Sequence, residues 1–240
     1  MRRFLGSLLF NVGWYAWTTL LGIIGFAVVP LPASMARAYA RFWIRGVLGW
    51  LRLTCGLTHR VRGLERLPAG PVIIASRHQS SWETLAFELV FPNSGIVLKR
   101  ELFWIPVVGW LMWRAGHIGV DRAAGAGALR NLLREARRVV GEGRSILIFP
   151  EGTRTPVGDI APYHPGIAAL YSQLGVPVVP VALNSGVFWA RRVFVKRPGV
   201  IDVEILEPIP PGLPRKEFVA ILQQRIAEAS ERLAASAERR

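Results

Sequence analysis

The stretch from Phe4 to Val29, FLGSLLFNVGWYAWTTLLGIIGFAVV, runs for 26 residues without a charged side chain and is followed by Pro30 and Pro32. A helix of that length measures about 39 Å at ~1.5 Å per residue, enough to cross the hydrocarbon core of a bilayer. The prolines end it and let the chain turn back. Trp14, Tyr15 and Trp17 lie near the middle of the stretch, whereas a spanning helix gathers its aromatic belts at the two ends. A cleaved signal sequence is another reading of an apolar stretch behind Arg2 and Arg3, but this one is longer than a usual signal core.

The next segment, ASMARAYARFWIRGVLGWLRLTCGL, reads as an amphipathic helix. At ~100° per residue Arg37, Arg41, Arg45 and Arg52 fall within an arc of about 80°, while Tyr39, Trp43, Val47 and Trp50 point the other way. This fits a helix lying in a membrane interface, arginines towards headgroups and aromatics towards acyl chains. It also fits a helix packed on its own domain with a solvated basic face.

Charge narrows the choice of partner. Lys and Arg outnumber Asp and Glu by 30 to 16, giving a net charge of +14, and the first acidic residue is Glu65. Such a chain seeks an acidic partner, nucleic acid or an anionic membrane. Basic charge beside a long apolar run, with a mean hydropathy of +0.32, points to lipid; no nucleic-acid-binding motif is present and no nucleic-acid partner is expected. Positive charge flanks both ends of the apolar run, so a spanning helix and a re-entrant hairpin both stay open. The heavier cluster from Arg37 to Arg62 places the remainder on the cytoplasmic side. The single cysteine, Cys55, excludes an intramolecular disulfide and a cysteine-cluster metal site.

After about residue 60 short apolar runs alternate with helical patterns, the signature of an α/β domain. The expected organisation is a membrane-anchoring helical segment over residues 1–60 and an α/β domain over 61–240, built as a mixed sheet flanked by helices. Six strands are expected, in PVIIAS, GIVLK, HIGV, SILIFP, VPVVPVAL and VIDVEIL. GALRNLLREARRVVGEG carries Leu129, Leu132, Leu133, Ala136, Val139 and Val140 at helical spacing, and KEFVAILQQRIAEASERLAAS repeats the pattern with Phe218, Ile221, Leu222, Ala229 and Leu233.

Ligands of α/β sheets gather outside the carboxyl ends of the strands. Three polar clusters fall there: His78 to Glu83, Asp121-Arg122, and Glu151 to Arg154. His78 and Glu83, five residues apart, would diverge by about 140° on a continuous helix and can meet only across a turn. If a strand ends near Ser76 and a helix begins near Ser80, the carboxylate comes within reach of Nδ1, fixes the tautomer and assists the imidazole as a general base. Ser80-Ser81-Trp82-Glu83 equally reads as a capping box, and spacing alone does not choose. In SILIFPEGTR a glycine turn brings Arg154 to a strand end, a setting suited to phosphate or carboxylate; Lys99 and Arg100 reach the same edge. His59, His78, His117 and His164 show no zinc-site spacing, so no metal is expected. There is no G-x-S-x-G elbow for a serine nucleophile.

Taken together, HQSSWE, GHIGVDR, FPEGTR and VVPVALNSG, in this order and spacing, resemble the four blocks of the PlsC-like glycerolipid acyltransferases, and LKRELFWIPVVGW with the hydrophobic N-terminus extends the resemblance over most of the chain. The resemblance implies an α/β domain with an N-terminal two-helix membrane motif at the cytoplasmic face of the bacterial inner membrane, monotopic or single-span. It implies transfer of an acyl group from acyl-CoA or acyl carrier protein to the sn-2 hydroxyl of 1-acylglycerol 3-phosphate, without a cofactor or covalent intermediate. On that resemblance His78 is the base and Glu83 its partner, where Asp is usual. Lys99, Arg122 and Arg154 bind the acceptor's phosphate; Glu151, Gly152, Thr153 and Pro180 shape the site. The expected partners are lysophosphatidic acid, an acyl thioester, membrane lipid and, where it is the donor, acyl carrier protein. Another lyso-lipid acceptor, such as lyso-ornithine lipid, and a non-enzymatic basic membrane- or nucleic-acid-binding protein are the alternatives.

Overall fold

The computed structural model describes residues 1–121 and 125–239, except the side chains of 126 and 238. The apolar run forms α1 (Arg2–Gly25), which turns at the prolines into α2 (Ala33–Cys55). The two helices interlock through tryptophans that enter gaps left by glycine: a Cβ on Gly13 would stand 2.1 Å from the Trp50 ring nitrogen, and one on Gly46 would stand 2.4 Å from that of Trp17. Trp50 Nε1 donates to Leu9 O, Trp17 Nε1 to Trp43 O, Trp43 Nε1 to Thr18 Oγ1, and Tyr39 Oη to Leu21 O. The aromatic face of α2 is therefore turned to α1, and Val47 is fully buried, which corrects the expectation that this face meets acyl chains. Indole and phenol donors find acceptors in a neighbouring helix that lipid tails do not offer.

The chain continues through β1 (Leu57–Arg62), β2 (Ile73–Ser76), α3 (Trp82–Val90), β3 (Ser94–Lys99), a 3₁₀ segment (Arg100–Trp104), α4 (Val108–Ala115), β4 (Ile118–Val120), α5 (Ala126–Gly141), β5 (Ser145–Ile148), α6 (Pro165–Leu174), β6 (Val178–Leu183), α7 (Ser185–Phe188), β7 (Gly199–Ile205) and α8 (Arg215–Glu238). The strands make a seven-stranded sheet in the order β1-β7-β6-β2-β5-β3-β4. It is mixed: β6, β2, β5, β3 and β4 run parallel, whereas β7 is antiparallel to β6 and β1 is parallel to β7. The sheet thus contains the six expected strands and one more. β1 escaped because LTHRVR is short and basic, the composition of an edge strand protected from further pairing.

Alternation along the strands divides the core between the two faces of the sheet. Ile74, Leu147, Val179 and Val181 pack with Trp82, Phe87, Ile44, Val47, Leu51 and Phe10, so α1, α2 and α3 share one core with the sheet. Ile73, Ala75, Ile146 and Ile148 pack with Leu132, Ala136 and Val139 of α5, Leu170 of α6, and Phe218, Leu222 and Ile226 of α8. The division expected at 60/61 lies inside β1, and the apolar residues of the first helices reach across it.

Candidate active site

Three parallel neighbours, β6, β2 and β5, end side by side, and the chain leaving each of them supplies a part of one polar cluster. Leaving β2, Arg77 and His78 enter a turn before α3. Leaving β5, the chain makes the Glu151–Arg154 turn; leaving β6, it passes to Ser185 at the start of α7.

His78 and Glu83 meet across their turn, Nδ1 to Oε1, at 2.9 Å. The same Oε1 accepts the backbone N–H groups of Gln79 and Ser80, each at 2.6 Å, and Oε2 accepts the Ser185 hydroxyl at 2.8 Å. Glu83 is wholly buried, and these four donors hold its carboxylate in place. Ser80 Oγ in turn accepts the Trp82 N–H at 3.1 Å. Helix α3 begins one residue later than the capping-box reading has it, yet the reciprocal contact between Glu83 and the Ser80 amide is present. Cap and pair are a single arrangement: the hydrogen bonds that start the helix also place the carboxylate behind the imidazole. With a proton on Nδ1 directed at Glu83, the free lone pair of His78 is on Nε2. Its ring lies on Phe149, centroids 4.2 Å apart and planes 23° from parallel.

Glu151 and Arg77 hold the turn that carries His78. Arg77 Nη1 lies 2.7 Å from Glu151 Oε1, with both side chains buried, and Glu151 Oε2 accepts the His78 N–H at 3.3 Å. The His78 carbonyl accepts the Thr155 N–H at 2.8 Å, and Arg77 also donates to the carbonyl of Asp159. Burial pushes the Glu151 carboxyl above its ordinary range, against the opposing pull of Arg77. Gly152 has φ of +64° and sits where a Cβ would stand 2.4 Å from His164, so the turn has no room for a larger residue.

Arg154 Nη1 donates to Ser81 Oγ at 2.6 Å, three residues from His78, and the Arg154 carbonyl accepts Arg191 Nη1 at 3.2 Å. Lys99, Thr153, Arg154, Arg191 and His78 line one cavity of about 910 Å³. No ion pair is found for Lys99, Arg154 or Arg191 among the described residues. Away from this cationic mouth the cavity is walled by apolar side chains, including Leu21, Ile44, Leu85, Leu111, Met112 and Leu132. Among the described residues one buried ionisable pair interrupts that wall, His117 Nε2 and Glu88 Oε1 at 2.9 Å.

The structure therefore brings His78, Glu83, Lys99, Glu151, Gly152, Thr153 and Arg154 to one place. Pro180 is elsewhere: it lies in β6 opposite Ala75, buried within the sheet and away from the cavity lining. A proline is tolerated there because the ladder slips beside it, Val181 pairing with Ile205 but Val178 with Ile209, a one-residue bulge. Arg122 lies outside the described residues; its neighbour Asp121 faces Arg100 at 3.9 Å. At the start of α3 the backbone amides of Gln79, Ser80 and Trp82 are already engaged within the turn.

Ser185, Ser81, Phe149, Arg77 and Arg191 were missed in the sequence reading. Ser185 had a usable signal, standing just past the carboxyl end of an expected strand within VALNSG. Arg77 had none, because a charged residue beside a buried strand looks the same in sequence whether paired or solvated.

An acyltransferase family model matches residues 58–184. The 1-acyl-sn-glycerol-3-phosphate acyltransferase of Pseudomonas aeruginosa is 36% identical over 207 residues, 85% of this chain and 79% of the relative. The human 1-acyl-sn-glycerol-3-phosphate acyltransferase alpha is 29% identical over 206 residues, 84% of this chain and 72% of the relative. The crystal structure of the 1-acyl-sn-glycerophosphate acyltransferase PlsC from Thermotoga maritima shares the fold, with a TM-score of 0.78 over 98% of both chains at 23% identity. With a family model matching more than half of its length and a relative 36% identical over 85% of it, this chain belongs to the PlsC-like acyltransferase family.

Proposed function

We propose that the chain is an O-acyltransferase that moves an acyl group from a thioester, acyl-CoA or acyl carrier protein, to the sn-2 hydroxyl of 1-acyl-sn-glycerol 3-phosphate, giving phosphatidic acid. One observation carries this reading: a His–Glu pair stands where an apolar cavity meets three cations, Lys99, Arg154 and Arg191, for which no ion pair is found among the described residues. An apolar chain fills such a wall, and a phosphate monoester needs such a mouth.

His78 Nε2 takes the proton of the sn-2 hydroxyl as its oxygen attacks the thioester carbonyl carbon. Glu83, held by four donors, stabilises the imidazolium that forms. The tetrahedral intermediate collapses with cleavage of the C–S bond, and the leaving thiolate takes the proton back from Nε2. Arg154 and Lys99 hold the acceptor's phosphate, fixing the hydroxyl beside Nε2. The Ser81 hydroxyl accepts from Arg154 and keeps its own hydrogen to donate towards the oxyanion.

The chain acts at a membrane as a monotopic protein. Helix α1 touches the α/β part of its own domain near both ends: near its start Ser7 Oγ accepts the Lys196 N–H and Phe10 packs on Trp189, and at its end Gly25 packs on Val107 and Leu111. A helix seated on one domain at both ends lies along the domain, with its outer face open to lipid. The test uses purified protein, labelled 1-acylglycerol 3-phosphate, and both thioester donors in parallel with a lyso-ornithine acceptor. Wild type is expected to form phosphatidic acid, and His78→Ala to lose it while staying folded. Near-normal turnover by His78→Ala, or turnover with the lyso-ornithine acceptor alone, would overturn the assignment.

A further inference from the structure

The segment between β3 and β4 has two apolar faces. Inward, Leu102, Val107, Val108, Leu111 and Met112 are part of the cavity wall. Outward, Trp104 is 71% exposed, Trp113 64%, Ile105 45% and Trp110 40%. Three exposed tryptophans within ten residues are costly for a surface that faces only water, and the described residues leave them uncovered.

Two observations indicate what covers them. The outward face is continuous with the unpartnered side of α1: Phe26, itself exposed, meets Trp110 edge to face with centroids 5.9 Å apart, and Ile23 and Ile24 lie exposed just before it. Arginines accompany it on a chain of net charge +14: Arg100 at the head of the 3₁₀ segment is exposed, with Asp121 at 3.9 Å, and the half-buried Arg114 of α4 donates from Nε to the Leu31 carbonyl. Tryptophan with arginine beside a long apolar face is the composition of a lipid headgroup boundary. At the turn into α4, Val107 has φ of +62°, a strained conformation for a β-branched residue, and its side chain is locked between Gly25 and the cavity.

We propose that the 3₁₀–α4 segment is a second bilayer-contacting surface, seated through Trp104, Trp110 and Trp113 in the headgroup region of an anionic membrane beside α1. The wall of the substrate cavity is then the part of the domain next to the lipid from which acceptor and product exchange. The inference rests on the acyltransfer reading only for what the cavity holds; the membrane contact itself is tested separately.

The experiment places an environment-sensitive nitrobenzoxadiazole label at Trp113→Cys in a Cys55→Ala background of the full chain. Control labels go at Leu9→Cys on the outer face of α1 and at Gln224→Cys on α8, which packs on the opposite face of the sheet. Vesicles of phosphatidylcholine with phosphatidylglycerol are added, with and without nitroxide-bearing lipid. The labels at 113 and 9 are expected to shift to the blue and to be quenched by the nitroxide, and the label at 224 to stay unchanged. Trp104→Ser with Trp113→Ser is expected to lower acyl transfer to vesicle-embedded acceptor by at least ~10-fold, with transfer to a short-chain, monomeric acceptor within ~2-fold of wild type. A label at 113 that stays in water while the label at 9 enters the bilayer overturns the proposal and leaves the enzymatic reading standing. Equal loss on both acceptors by the double variant overturns it too, since the tryptophans would then serve the fold. Absence of transfer by wild type on either acceptor refutes the enzymatic reading and leaves the label result to decide this one.

Discussion

Glu83 offers the most discriminating perturbation, because one carboxylate both orients the proposed base and starts a helix. In Glu83→Gln the amide keeps the shape. Its oxygen can accept from His78 Nδ1 and from the Gln79 and Ser80 amides, and its NH₂ can turn to Ser185 Oγ, which is able to accept. The tautomer of His78 is therefore preserved and only the negative charge is lost. Four charge-assisted hydrogen bonds become neutral ones, a stability loss of about 1–3 kcal/mol. The imidazolium formed during transfer loses its counter-charge, and kcat is expected to fall by about 10²–10⁴, or roughly 3–5 kcal/mol of barrier at 1.36 kcal/mol per decade. Glu83→Asp tests reach instead of charge. The side chain is shorter by one methylene, about 1.5 Å, whereas Oε1 and Oε2 now satisfy partners on α3's own turn and on α7 at 2.9 and 2.8 Å. Aspartate keeps one set and releases the other. Held by the two backbone amides, it stays with His78 and lets Ser185 go, so kcat should fall only about 10-fold. Ser185→Ala, harmful in the wild type by about 1–2 kcal/mol of stability, should then cost almost nothing in the aspartate background. The assays are transfer to labelled 1-acylglycerol 3-phosphate and urea denaturation of the four variants in a double-mutant cycle. Additive stability losses for Glu83→Asp and Ser185→Ala would refute the four-donor cradle, and a Glu83→Gln enzyme with near-wild-type kcat would refute the electrostatic role.

Two further outcomes follow from the cations. Arg154→Ala should raise the KM for the phosphate-bearing acceptor by about 10–100-fold with a smaller effect on the thioester's KM, and Arg154→Lys should recover only part, because a single ammonium cannot hold Ser81 and a phosphate in one plane; equal effects on both substrates would remove Arg154 from the phosphate site. Lys196 is buried over the rings of Phe10, Trp189 and Phe194, with Nζ 5.0, 5.2 and 5.3 Å from their centroids, and burial lowers its pKa from the ordinary 10.5. Between the lowered folded value and that ordinary value the unfolded chain holds one more proton than the folded one, so this group makes stability rise with pH there and contributes no such rise well below the folded value. Lys196→Met should remove the rise, read as a wild-type-minus-variant stability difference in urea that grows as the pH approaches the ordinary lysine value of 10.5; a difference independent of pH would contradict it.

Much of this protein is legible in its sequence because the relevant interactions are local. The apolar run and its prolines specify α1 and its end; the strand runs and the helical spacing of Leu132, Ala136 and Val139 specify elements whose buried residues repeat with a short period. His78 and Glu83 lie five residues apart and join through one turn, and FPEGTR carries the glycine that its own backbone requires. Periodicity reports which side of an element is buried but not what covers it. The arginine-free face of α2 was identifiable as apolar, yet that it meets the backbone acceptors of α1 followed only from the packing of two glycine gaps against two tryptophans. The hydroxyl that completes the Glu83 site comes from Ser185, 102 residues away, brought there because β6 and β2 are parallel neighbours. The basic edge strand β1 has no local pattern to announce it, since its pairing partner is β7, more than 130 residues later. Sequence determined the chemistry of the turn and the apolar, span-length character of the first helix. Tertiary structure decided which groups confront one another, because contacts between distant segments depend on strand order and helix packing, which no stretch of local sequence encodes by itself.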